Sequence, residues 1–145
     1  RIGYLVAPAS VTETMVKIFE WHNLYGNPVC QAAAAAAISG PQVWLADVAD
    51  EFQNNRDTLY RMIATSEKIS CVLPQGGPFL FLNVAGLGID GDLFAHRLLH
   101  NFGIATTPGS TLQSLDHVRL PFGGDLKVIA EASSRLMRAA RDIGH

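Results

Sequence analysis

Charged side chains are sparse in this chain. They make up 17% of its 145 residues and leave a formal net charge of −2. Neither sign gathers into a block and no basic stripe exists, which excludes nucleic-acid binding driven by counterion release. Cysteine is scarcer still. Cys30 and Cys71 are the only two, too few for a disulfide framework and in keeping with a reducing, cytoplasmic compartment. Long apolar runs are missing. The weakly polar stretch from Val29 to Ile38 is mostly alanine and falls well short of the ~20 residues that cross a bilayer, so no membrane partner is expected. What the chain does have is 48% hydrophobic residues, enough to bury a core and too many for a disordered segment. It reads as one compact domain, or one small domain with part of another.

The local patterns divide the chain in two. Ile2 to Val6 is short, apolar and β-branched, and predicts a buried strand ended by Pro8. Ser10 to Glu13 matches a capping box, so a helix should follow with Val11, Met15, Ile18 and His22 on one stripe. Asn23 to Pro28 predicts a loop. Gln31 to Ile38 predicts a helix buried on all sides, because alanine lets neighbouring backbones approach closely. A long helix is expected from Pro41 to about Thr65, roughly 36 Å at 1.5 Å per residue, bridging two bodies. Strands follow at Ile69 to Leu73 and Phe79 to Val84, then a helix from Asp92 to Asn101 with Phe94, Leu98 and Phe102 on one stripe. Strands are expected again at Ile104 to Thr107 and His117 to Phe122, and Asp125 should cap a last helix. The order is one strand, three helices, then β-β-α-β-β-α. Its second part predicts a self-contained α+β layer. The chain opens directly on strand-like residues at Arg1, which suggests a piece of a longer protein.

Several residues invite a chemical reading. Gly86-Leu-Gly88-Ile-Asp-Gly91 matches G-x-G-x-x-G and would suit a dinucleotide, but no acidic residue ends a second strand some 20 positions on. A plain strand-to-helix loop is the better reading. His96 and His100 have metal-ligand spacing on a helix, but no third ligand is near and both should face solvent, so no metal is expected. Cys30 and Cys71 read as packing residues. Arg119 is more informative. Alternation puts Val118, Leu120 and Phe122 on one face of its strand and Arg119 on the other with His117 and Pro121. It is either a solvated ion-pair partner or a rigid fork for a carboxylate.

Taken in order, Arg1 to Pro8, Gln31 to Ala34, Arg56-Asp57, Pro74-x-Gly76, Phe79 to Phe81, Pro108-Gly-Ser110 and Val118 to Leu120 make the whole chain resemble class I/II aminotransferases. The resemblance implies the C-terminal portion of the α/β fold of pyridoxal-phosphate-dependent transferases (the aspartate aminotransferase fold, fold type I). Residues 1–45 would be the remnant of the large cofactor-binding domain. Residues 46–145 would be the small domain, entered through the long interdomain helix. The implied cofactor is pyridoxal 5'-phosphate and the implied partners are an amino acid and a 2-oxo acid. Arg1 is similar to the arginine that binds the cofactor phosphate, and Arg119 to the one that holds the substrate α-carboxylate. The Asn23 to Pro28 loop resembles the segment that reaches the neighbouring active site of a homodimer.

The same resemblance implies that the lysine forming the Schiff base with the cofactor lies upstream of Arg1. Lys17, Lys68 and Lys127 do not match it, so no residue of this chain is expected to be catalytic and the chain alone is expected to be inactive. Pro78 and Pro121 depart from the family pattern, and each removes a backbone donor, so both should sit at strand ends. The scaffold also hosts decarboxylases, lyases, synthases and the non-catalytic sensor domains of transcription regulators.

Overall fold

The computed structural model describes residues 1–143. Its contacts divide the chain into two compact units, residues 1–45 and residues 46 onward.

The first unit carries two helices, α1 (Ala9–Asn23) and α2 (Pro28–Ser39). The strand expected at Ile2 to Val6 does not form. These residues are extended, and Tyr4 and Val6 are 93% and 84% exposed. A strand needs a hydrogen-bonded neighbour, and none of the described residues lies alongside as one. The capping box fails as well. The helix starts at Ala9, before Ser10, and its first turn is held by the Pro8 carbonyl, which accepts from the Val11 and Thr12 N–H groups. Ser10 therefore lies inside the helix. Asn27 supplies the cap missed by the pattern: its Oδ1 accepts from Val29 N at 3.0 Å and Cys30 N at 3.2 Å, with Pro28 at the first helical position. The alanine helix forms as expected but none of its residues is buried, because no described element covers it.

The second unit is built around α3 (Trp44–Ile63), β1 (Ser70–Cys71), β2 (Phe79–Asn83), α4 (Gly91–Phe102), β3 (Thr107–Pro108), β4 (His117–Pro121) and α5 (Leu126–Ile143). Helix α3 starts at Trp44, not Pro41, and its 20 residues span about 30 Å. The four strands form one antiparallel sheet in the order β1-β2-β4-β3.

Period-2 alternation decides what each face of that sheet does. Leu80 and Leu82 of β2 and Val118 and Leu120 of β4 point into the core, all nearly fully buried. There they join Phe94, Ala95 and Leu98 of α4, Ile129, Leu136, Ala139 and Ala140 of α5, and Leu59 and Ile63 of α3. Phe79, Phe81, His117 and Arg119 project from the opposite face. Each fully buried aliphatic or aromatic side chain is worth about 1.5–3 kcal/mol, so this face fixes the register of both strands.

Polar ties complete the unit. Asn55 of α3 is fully buried and its Nδ2 donates to the Gly124 carbonyl at 2.8 Å. Arg56 bridges Asp57 and the Pro74 carbonyl at 3.1 Å, anchoring the loop that leads into β2. Asp125 caps α5 through its Oδ1 to Lys127 N at 2.7 Å, as expected. Pro78 and Pro121 fall at strand ends, where Phe122 N donates to the Pro78 carbonyl at 3.0 Å.

Candidate functional site

The exposed face of the sheet is organised by strand register. Arg119 pairs with Phe81 on one side and with Thr107 on the other. Its Nη2 donates to Thr107 Oγ1 at 3.1 Å. Its Cζ lies 4.3 Å from the centroid of the Phe79 ring, the diagonal neighbour on β2. Its Nε is buried and finds no acceptor. The ion pairs of the described residues join Arg56 to Asp57 and Arg135 to Glu131; among the described residues no carboxylate pairs with Arg119. A half-buried guanidinium is thus held in place with no counter-ion. Burying a charge unpaired costs free energy, and an arriving carboxylate would neutralise it through the planar donor fork.

His117 occupies the next position on the same face. Its ring stacks on Phe81, with centroids 4.5 Å apart and planes 11° apart. Asn83 Oδ1 accepts from Ala85 N at 3.0 Å, which turns its amide nitrogen towards His117 Nε2 at 3.3 Å. Nε2 is then the acceptor, and Nδ1–H donates to Ser114 Oγ at 2.7 Å. The row Phe79, Arg119, Phe81, His117 therefore alternates aromatic and basic groups. Arg119 and its orientation away from the core were legible from alternation. Thr107, Phe79 and the Asn83–His117–Ser114 chain were not, because they depend on which strands lie side by side.

Arg1 belongs to the first unit and Arg119 to the second. It is exposed, lines a cavity with Asn23, Gly26, Asn27, Cys30 and Gln31, and makes no ion pair among the described residues. A free guanidinium beside amide side chains and backbone suits a phosphate dianion.

The other sequence candidates serve structure. A Cβ at Gly86 would sit 2.5 Å from the Lys68 carbonyl oxygen, and one at Gly91 would sit 2.1 Å from that of His117. Gly86 and Gly91 allow backbones to touch, while Gly88 takes a left-handed φ of 70° with open space around it. His96 and His100 are exposed neighbours, their ring centroids 4.3 Å apart. No group of three metal-binding side chains occurs among the described residues. Cys30 and Cys71 are free thiols, and burial pushes the Cys71 thiol above its ordinary value. No helix among the described residues is long and apolar enough to cross a membrane.

Comparison with known proteins converges on one family. The sequence model described as Aminotransferase class I and II matches residues 1–136. An aspartate aminotransferase of Bacillus subtilis is 29% identical over 95% of this chain and 36% of its own length. An arginine–pyruvate transaminase of Pseudomonas aeruginosa is 26% identical over 99% of the chain and 37% of its own. Among solved structures, an aspartate aminotransferase of Thermotoga maritima superposes with a TM-score of 0.77 at 27% identity, covering 95% of this chain and 35% of that one. The chain thus spans little more than a third of the relatives it matches, and the match over residues 1–136 shows that it belongs to the class I and II aminotransferase family.

Proposed function

We propose that this chain is the C-terminal portion of a pyridoxal-phosphate-dependent aminotransferase. The enzyme moves an amino group between an amino acid and a 2-oxo acid in a ping-pong cycle. The observation that carries the reading is Arg119, a half-buried guanidinium on a sheet face, held by Thr107 and Phe79 and lacking a counter-ion among the described residues. In this reading Arg119 takes the α-carboxylate common to amino and oxo acids, so one residue serves both half-reactions.

Residues 1–45 belong to the large cofactor-binding domain and residues 46–145 to the small domain. Arg1 holds the cofactor phosphate; its planar fork, and its freedom from ion pairs among the described residues, support the role. When bound, pyridoxal phosphate supplies an electron sink for chemistry at the substrate α-carbon. No residue of this chain is assigned a proton-transfer role, and the lysine that has one is placed upstream of Arg1. The enzyme is a homodimer, with the Asn23 to Pro28 loop reaching the neighbouring site. It works in the cytoplasm, a placement supported by its two unpaired thiols.

The test is a panel of the common amino acids mixed singly with the holoenzyme in the absence of oxo acid. Loss of the cofactor aldehyde absorbance, restored by adding a 2-oxo acid, is the expected result. Release of carbon dioxide or ammonia without that restoration would assign a decarboxylase or lyase instead. No response to any amino acid would favour a sensor.

A further inference from the structure

Arg119 reaches its position through neighbours on two different strands, and the donor it presents depends on both. A free arginine side chain samples many rotamers, and fixing it costs about 2 kcal/mol of conformational entropy. Here two contacts restrain it. Thr107 on β3 accepts from Nη2 at 3.1 Å, and the Phe79 ring on β2 lies under Cζ at 4.3 Å. Phe81, directly across from Arg119 in the register, is itself stacked on His117, so the neighbouring aromatic position is already occupied. The result is a guanidinium with one nitrogen tethered, one face covered and Nε buried, which leaves the Nη edge as the part open to a ligand.

We propose that Thr107 and Phe79 are positioning residues that preorganise Arg119 for the substrate carboxylate. The inference rests on the carboxylate role given to Arg119 above. Thr107 fixes the rotation of the guanidinium about its long axis through a directional hydrogen bond. Phe79 fixes its height above the sheet through the cation–π contact. Neither touches the substrate; each acts through Arg119. A site that pays no reorganisation on binding retains more of its interaction energy for affinity.

The experiment uses the holoenzyme and the amino-acid half-reaction, followed by cofactor absorbance with L-aspartate, or with whichever common amino acid turns over fastest. Four variants are compared: T107V, T107S, F79L and R119L. T107V keeps the shape and removes the acceptor. Its dissociation constant for the amino acid should rise roughly three- to tenfold, with cofactor affinity and the limiting rate at saturation little changed. T107S restores the acceptor and should return the constant to within about twofold of wild type. F79L should cost roughly three- to tenfold in the same constant. A structural role would instead lower the thermal midpoint and leave the split between affinity and limiting rate unmoved. If R119L loses amino-acid affinity while T107V and F79L bind as wild type, the positioning proposal is wrong and the carboxylate role stands. If R119L also binds as wild type, the carboxylate role itself fails. If T107S behaves as T107V, the hydrogen bond is not the relevant contact.

Discussion

Replacing Arg119 with leucine should separate function from stability more cleanly than any other single change. The carboxylate of an amino acid would take two charge-assisted hydrogen bonds from the guanidinium, each worth about 1.5–3 kcal/mol. Losing both amounts to about 3–6 kcal/mol. At 1.4 kcal/mol per tenfold, amino-acid affinity should fall by roughly two to four orders of magnitude. Stability should respond very differently. In the free protein Arg119 gains about 1 kcal/mol from Thr107 and about 1 kcal/mol from the Phe79 ring. It also keeps a buried Nε without an acceptor, which costs about 1–3 kcal/mol. These contributions offset one another to within about 1 kcal/mol, and leucine suits a half-buried position beside two aromatic rings. The thermal midpoint of R119L should therefore stay within about 4 °C of wild type. The assay pairs stopped-flow half-reactions over a range of amino-acid concentrations with a thermal melt of the same preparation. An unchanged concentration dependence would refute the carboxylate role. A melt lowered by more than about 10 °C, with cofactor and amino-acid binding lost together, would show Arg119 to be a structural tie.

Gly91→Ala puts a Cβ 2.1 Å from the His117 carbonyl oxygen, a backbone clash that only movement of α4 or β4 relieves, so chemical denaturation should show a loss of at least about 2 kcal/mol. Soluble expression with wild-type stability would mean the close approach is not real. Burial raises the Cys71 thiol above the ordinary cysteine range, so the unfolded chain loses this proton first as pH rises. Stability linked to Cys71 is complete below the ordinary thiol pKa and declines above it. Urea midpoints from pH 7 to 10 should therefore fall less steeply in C71A than in wild type, and parallel curves would count against the shift.

The second unit was largely legible because its segments alternate or repeat with clear periods. The Val118, Leu120 and Phe122 stripe and the Phe94, Leu98 and Phe102 stripe both found the core, and Arg119 fell on the outer face by parity alone. The first unit was misread where pairing and packing decide the outcome. Ile2 to Val6 has strand composition, but a strand is a property of a pair, and none of the described residues pairs with it. The alanine helix was expected to be buried, yet none of its residues is. The Ser10 to Glu13 pattern lost to Pro8, which takes the N-cap position so that the helix starts two residues earlier, at Ala9. The contacts that shape the Arg119 site join residues 12 and 40 positions apart, Thr107 to Arg119 and Phe79 to Arg119. A single sequence carries no signal for such pairs until the strand order is known.

Strand β4 carries two alternating sets of residues with opposite duties. Shifting it by one position against β2 would turn Arg119 inward and Leu120 outward. A chain that mispairs this strand would thus forfeit its anion receptor and display the sticky side of its core in a single error.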